Sequence, residues 1–515
     1  MEAQTWVAYG LFSVIFVYLI NHLCRGNHKL NLPPGPKPWP IIGNFDLIGP
    51  LPHHSIHELS KIYGPIMTLK FGSVPVIVGS SVEMAKSILK TNDEIFAGRP
   101  TTAAGKYTTY NYSNMTWSHY GPYFRQARKL WSMHLFSAKS LESYEYIRVE
   151  EHNSLLRSIF NTNGEPITLK DYLSKLSLNV ISRVVLGKRY LDKCNDNDVD
   201  GQVNKIDDEF SLMLDELFIL NGVLNLGDWI PCVKYLDIQG YEKRMKIIGK
   251  KFERFMEHVL DEHNARRENE KDNWVPKDMV DVLLQHGNDS NHQVKIDRNG
   301  VKAFTQDLIA GGTDTSTITL EWAITELIRR PDIIAKATEE LDHVIGKERW
   351  VQEQDIQNLP YIQAIVKETL RLHPVTPLLV PRFSREQVKV EGYDIPKGSV
   401  ALVNTFTIHR DPSVYDKPLE FWPDRFIDKD IDVKSQDFEF LPFGSGRRKC
   451  PGYNLGLKIV EPGLANLLHG FEWKLPDNIK PQDMDMEEIF GLTNPKKTPV
   501  VVCAQPRLPH YIYCK

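Results

Sequence analysis

The hydrophobic pattern changes character several times along the chain. From Ala3 to Cys24 no charged residue occurs, and Trp6 to Ile20 is almost wholly apolar. At about 1.5 Å rise per residue this stretch reaches about 33 Å, enough for a hydrocarbon core of roughly 30 Å, so it predicts a membrane-spanning helix. The prolines of Leu32–Pro40 then predict a stiff, extended spacer. Beyond residue 45, short β-like runs occur at Ile66–Phe71, Val74–Val78 and around Val388–Val403, punctuated by Glu391-Gly392-Tyr393 and Pro396-Lys397-Gly398. Helical periodicity dominates the remainder. Val301 to Arg330 holds no proline and ends at Pro331, which predicts one helix of roughly 45 Å. Lys250–Lys271 reads as the solvated face of a helix and His286–Gln293 as a polar loop. The pattern predicts a mainly α protein with minor β, divided into an anchor (1–24), a basic and proline-rich linker (25–45) and one large domain (46–515).

Charge fixes the orientation of the anchor. Glu2 precedes it, with no basic leader and no A-x-A site, so a cleaved signal peptide is disfavoured. Arg25, Lys29 and Lys37 follow it, which places the large domain on the cytosolic side. The patterns N-x-S/T at Asn111, Asn114 and Asn288 would carry no glycan there. Lys+Arg total 62 against 66 Asp+Glu, a net charge of -4, which argues against nucleic-acid binding. The six cysteines are scattered and none lies in a C-x-x-C pair, so neither a disulfide framework nor a structural zinc site is expected.

One cysteine stands apart. Residues 443–452 read Phe-Gly-Ser-Gly-Arg-Arg-Lys-Cys-Pro-Gly, and Phe443, Gly446, Arg448, Cys450 and Gly452 fill every fixed position of F-x-x-G-x-R-x-C-x-G. This resembles the haem-binding signature of the cytochrome P-450 family. The resemblance implies the cytochrome P-450 fold and haem b held by the Cys450 thiolate. A thiolate pushes electron density onto haem iron and favours O–O cleavage. Glycines allow the backbone to approach a flat macrocycle, and N–H groups near the sulfur tune its potential.

Within the long helix lies Gly311-Gly312-Thr313-Asp314-Thr315-Ser316. Each interior glycine costs about 1 kcal/mol against alanine, so the pair asks for a local reason: a kink, or the close approach of a ligand. Asp307, Asp314 and Glu321 argue against a second membrane span. The segment resembles the family's [AG]-G-x-[DE]-T-[TS] motif. That likeness implies that Asp314 and Thr315 form the acid–alcohol pair delivering protons to bound dioxygen.

Further likenesses imply structural and cofactor roles. Glu368 and Arg371 share a helix face, and with Arg425 of Pro423–Phe426 they resemble the cluster that holds the haem-loop region. Arg448, Arg382 and Arg128 are implied partners of the haem propionates. Phe124 stands where the family has tryptophan, which removes one N–H donor. The resemblance extends from the anchor to about Gly491, with Leu32–Pro40, Tyr120–Tyr123 and Phe438–Gly452 similar to plant microsomal members. Phe304–Pro331 is similar to a group that includes flavonoid-hydroxylase-like and homoterpene-forming enzymes.

The expected activity is therefore insertion of one oxygen atom from O2 into a lipophilic terpenoid, steroid or phenolic. The expected partner is NADPH–cytochrome P-450 reductase, at the endoplasmic reticulum membrane. Substrate would be met by apolar positions including Leu212, Leu217, Ile219, Ala310, Leu379 and Leu492. Arg447, Arg448 and Lys449, joined by Arg125 and Lys129, form the expected cationic face for an acidic reductase. A haem-thiolate isomerase or dehydratase and a non-catalytic haem carrier remain the alternatives. The intact Asp314–Thr315 pair and the long helix argue against both.

Overall fold

A computed structural model describes residues 6, 9, 10, 13, 30–189, 203–287, 295–427, 429, 431–433, 437–476 and 479–514. The expected membrane span lies almost wholly outside them, as does most of the polar stretch His286–Gln293. Helix α1 (Pro52–Tyr63) opens on Pro52 in its first turn and stops at Gly64, whose φ of 93° ends it. Strands β1 (Ile66–Phe71) and β2 (Val74–Gly79) then pair as an antiparallel hairpin with Phe71 opposite Val74. The expected spacer is laid along this hairpin. Thr68 donates its N–H to the Pro34 carbonyl at 2.8 Å, and Asn44 donates to the Lys70 carbonyl at 2.7 Å. The second half of the linker thus belongs to the folded body.

The central helices follow in order: α2 (Pro122–His134), α3 (Glu145–Phe160), and α4 (Leu169–Leu186), which is entered from the short strand β3 (Ile167–Thr168). Next come α5 (Val203–Gly222), α6 (Tyr241–Glu270) and α7 (Met279–Gly287). Helix α6 contains the charged stretch as expected, burying Phe252, Met256, Val259 and Leu260 and leaving its lysines and glutamates to solvent. Helix α8 (Arg298–Arg329) spans the body. Asp297 caps it by accepting the Gly300 N–H at 2.8 Å, and Pro331 opens the next helix, α9 (Pro331–Val344). Because α8 is covered on nearly all sides, its apolar residues run round the helix rather than along one stripe. Its widest contact is with α4, and it also touches α6, α7 and α10 (Pro360–Leu372).

Beyond α10 the chain forms β4 (Arg382–Phe383), the hairpin β5 (Val388–Val390) and β6 (Tyr393–Ile395), and β7 (Val400–Val403). Glu391 and Gly392 take positive φ at the tight hairpin turn, in line with the turn signal in the sequence. The main sheet has the order β1-β2-β7-β4, with β2 and β7 parallel. Helix α11 (Tyr453–Gly470) packs on α8 and runs into β8 (Phe471–Lys474). Strand β8 pairs with β9 (Val501–Pro506), which also accepts β3. This second sheet had no clear sequence signal. Its strands are short, and their partners lie far apart in the chain.

Candidate active site

The loop 443–452 ends at α11 and carries Cys450 into a buried cavity whose opposite wall is α8. The Cys450 amide donates to the Phe443 carbonyl at 3.0 Å, closing the loop on itself. Gly446 has φ of 72°, and a Cβ there would stand 2.3 Å from the Leu89 carbonyl oxygen, so glycine alone fits. Burial pushes the Cys450 thiol up. The Gly452 N–H and the charges of Arg128 and Lys449 act the other way and favour the thiolate.

Arg448 turns back from this loop and spreads its guanidinium over three carbonyls, those of Ala97 (2.9 Å), Met115 (3.1 Å) and Ser118 (2.5 Å). It also lies 4.0 Å from the Phe124 ring centroid. The phenylalanine that replaces the family's tryptophan thus supports an arginine by cation–π contact. Arg382 donates to Asp93 at 2.7 Å and to the Ser445 carbonyl at 2.6 Å. Arg128 faces the cavity and makes no hydrogen bond or ion pair among the described residues. A fourth arginine escaped the sequence reading. Arg99 lines the same cavity, tied to the carbonyls of Thr116 (2.8 Å), Val380 (2.7 Å) and Pro381 (2.7 Å). Its signal was only an arginine before Pro100, which carries no chemistry by itself.

Four guanidiniums in one cavity repel one another. Burial, then Arg382 and Arg128, pull Arg448 down to about 9. Arg99 is lowered by burial and then by Arg448 and Arg382. Asp93 is the acid paired with Arg382, and it is shared with Arg447 at 3.3 Å. A flat ligand with two carboxylates relieves this repulsion, and haem is such a ligand. The buried Trp131 Nε1 on the cavity wall also lacks a partner. The residues present fit the cofactor.

On the facing wall, the glycine pair of α8 divides its work. A Cβ on Gly312 would strike Ile181 of α4 at 2.7 Å, so this glycine serves helix packing. Gly311 has nothing within 4 Å and opens onto the cavity. Thr315 also faces the cavity, its hydroxyl donating to the Gly311 carbonyl at 2.8 Å. Asp314 does not line the cavity. Its Oδ2 accepts the Thr493 hydroxyl at 2.6 Å, behind the wall. Burial pushes Asp314 up to about 6, against the Thr493 hydroxyl and Lys170. One turn of α8 before Gly311, Asp307 accepts Asn114 Nδ2 (2.7 Å) and the Thr116 N–H (2.9 Å), and burial pushes it up to about 6 as well. In the sequence Asp307 shows only as a charge against a membrane span and Asn114 only as an N-x-S/T pattern. Asn114 is buried and committed to this contact.

Other expected residues divide. Glu368, Arg371 and Arg425 meet as expected, with Glu368 at 2.7 Å from Arg371 and 3.1 Å from Arg425, all buried outside the cavity. Arg447 is engaged by Asp93 and by Glu94 at 3.2 Å, so it is not a free member of a docking face. Arg125 and Lys129 are exposed on α2, one turn apart. Among the expected substrate positions Leu379 lines the cavity, whereas Leu212 is 66% exposed and Ile219 37% exposed. Both belong to the outer side of α5, which apolar character alone does not reveal.

Comparisons with known proteins agree with this geometry. The family model for Cytochrome P450 matches residues 33–502. Trimethyltridecatetraene synthase of Zea mays is 43% identical over 98% of this chain and 95% of its own length. Flavonoid 3'-monooxygenase of Petunia hybrida is 41% identical over 100% of both chains, and dimethylnonatriene synthase of Zea mays is 42% identical over 98% of both. A zebra fish cytochrome P450 solved with abiraterone superposes with a TM-score of 0.74 at 24% identity, covering 89% of this chain and 100% of that one. That last likeness bears on the fold.

Proposed function

The chain belongs to the cytochrome P450 family and is a haem-thiolate monooxygenase, and from that premise we propose that it oxidises a lipophilic plant metabolite, phenolic or terpenoid, with electrons from an NADPH-dependent reductase. The observation that carries this reading is the cavity itself: Cys450 and four arginines on one wall, Thr315 on the other. Haem bound there supplies reduction of O2 and transfer of one oxygen atom to a carbon, the second atom leaving as water with two protons and two electrons. Cys450 would provide the thiolate ligand, and Phe443, Gly446 and Gly452 shape the loop that presents it. Arg128, Arg382, Arg448 and Arg99 would hold the two propionates. Thr315 holds a proton at the cavity wall, and Asp314 restores it. The apolar wall formed by Leu308, Leu379 and Val380 excludes water and accepts the substrate.

The names of the relatives, flavonoid monooxygenase and synthases of methyl-branched polyenes, support a phenolic or branched hydrocarbon-like substrate. Location is part of the same proposal: a single-pass anchor in the endoplasmic reticulum membrane with the domain in the cytosol. Large apolar side chains are exposed on the linker (Trp39 63%, Ile41 70%) and on the loop after α5 (Tyr235 91%, Leu236 66%). Trp229 joins these regions by packing on Phe45 and Phe71. Such a surface suits a bilayer interface. The reductase docks on the face bearing Arg125 and Lys129. The test is a carbon-monoxide difference spectrum, followed by NADPH-driven turnover of a flavonoid and terpenoid panel with mass-spectrometric detection. Absence of oxygenated product in the presence of a competent reductase would overturn the reading.

A further inference from the structure

We propose that Thr493 is the positioning residue for Asp314: its hydroxyl parks the carboxyl behind the cavity wall until a proton arrives from solvent, and so times the supply to Thr315. This rests on the oxygen-activating function proposed above. Two adjacent residues of α8 point about 100° apart, so Thr315 can face the cavity while Asp314 faces the 491–493 turn. Thr493 is buried, and its hydroxyl has Asp314 as its partner at 2.6 Å.

The turn that carries Thr493 is held firmly. Leu492 donates its N–H to the Phe218 carbonyl at 3.0 Å. A Cβ on Gly222 would stand 2.0 Å from the Gly491 backbone, so only glycine lets α5 and the turn meet. The clamp is therefore fixed to α5, the helix that roofs this side of the molecule.

Three charged groups act on Asp314: Lys170, Asp215 and Glu321. Lys170 at the start of α4 and Asp215 of α5 stand 4.0 Å apart and both reach solvent, at 23% and 49% exposure. Lys170 favours the ionised Asp314 and Asp215 opposes it. Glu321, two turns further along α8, accepts the Val500 N–H at 3.0 Å and feels Lys496. Lys170 and Asp215 are the neighbours of Asp314 that reach solvent, so a solvent proton would enter on their side.

The transfer balances in protons alone. A proton leaves hydronium and forms an O–H bond on Asp314, which then no longer needs the Thr493 donor and rotates. That O–H bond breaks as the proton passes to the Thr315 oxygen, and the proton of Thr315 moves into the cavity, where O2 reduction consumes it. Asp314 returns to carboxylate and Thr493 closes on it again. No electron moves in these steps.

The test uses full-length holoenzyme with its reductase, comparing wild type with Thr493→Val, Thr493→Ser and Asp314→Asn. Two quantities are followed against pH: product formed per NADPH, and the infrared band of the protonated carboxyl that Asp314→Asn removes. A proton donor works only while protonated, so coupling falls as pH rises through its pKa. Losing the Thr493 donor destabilises the carboxylate, so both midpoints should rise by about one unit in Thr493→Val. Thr493→Ser should restore both. Unmoved midpoints in Thr493→Val, or equal displacement by serine and valine, would overturn the inference. If Thr493→Val fails to load haem, Thr493→Ala carries the same comparison. Uncoupling in Asp314→Asn with a silent Thr493→Val removes this inference alone. A silent Asp314→Asn removes the proton role of Asp314 and this inference with it.

Discussion

The two walls of the cavity are unbalanced in opposite senses. The thiolate wall gathers Arg99, Arg128, Arg382 and Arg448, all lowered by burial, with repulsion from neighbouring arginines adding to it at Arg99 and Arg448. On the α8 side Asp307 lines the cavity and Asp314 lies behind its wall, and burial pushes both up to about 6. A wall of excess guanidinium demands an anionic ligand, whereas a wall of excess carboxyl stores protons. The thiolate wall is also rigid: Arg99 and Arg448 are tied to six carbonyls between them. On α8 a single hydroxyl holds Asp314. In the proposed function, cofactor retention would depend on a fixed scaffold and proton supply on a contact that can break.

The largest effect comes from removing the group that defines the first wall. Cys450→Ala should abolish thiolate ligation and turnover, because among the described residues no other cysteine lines the cavity. A normal carbon-monoxide difference spectrum from the variant would refute the assignment.

The second wall is broken by Thr315→Ala. Haem content and substrate binding should persist, while product per NADPH falls and peroxide appears; general-acid roles are typically worth about 10²–10⁴ in rate. A wild-type ratio at matched haem content would reduce Thr315 to a packing residue.

Arg128 and Arg448 sharpen the difference within the thiolate wall. Arg128→Gln should weaken haem binding by about ten- to a hundredfold, a charge-assisted hydrogen bond contributing about 1.5–3 kcal/mol, and leave the apoprotein Tm unchanged. Arg448→Gln should lower both, since it also releases three carbonyls. Equal Tm losses would erase the distinction between a waiting arginine and a scaffold arginine.

A pH experiment examines the stored protons. The folded-state pKa of Asp314 lies above its ordinary 3.8 at about 6. The folded chain therefore binds more protons than the unfolded chain between those values, and stability falls as pH rises from about 4 to 6. Asp314→Asn should flatten that slope by about 2–3 kcal/mol, measured by denaturant melts across the window. An unchanged slope would show that Asp314 is ionised in the fold at all these pH values.

The smallest effect is expected outside the cavity, where α2 turns Arg128 inward and Arg125 and Lys129 outward. Arg125→Glu with Lys129→Glu should weaken reductase association several-fold in low salt and little in high salt. Identical affinity and salt dependence would move the docking face elsewhere.

Contiguous residues settled much of this protein from sequence alone. The loop around Cys450, the stop of α8 at Pro331, the β5–β6 hairpin and the charged face of α6 are local arrangements, in which spacing along the chain already fixes spacing in the molecule. Asp314 and Thr315 were named as a pair through the resemblance of their segment to the family's helix motif. Tertiary structure decided which of them faces the cavity, because Thr493 lies 179 residues away and no helical periodicity reports it. It also decided that Arg99 joins the arginine wall, that Phe124 supports Arg448, and that Leu212 faces outward. Each of these depends on a partner brought close by packing, and the free energy of a buried charge is set by what surrounds it in space.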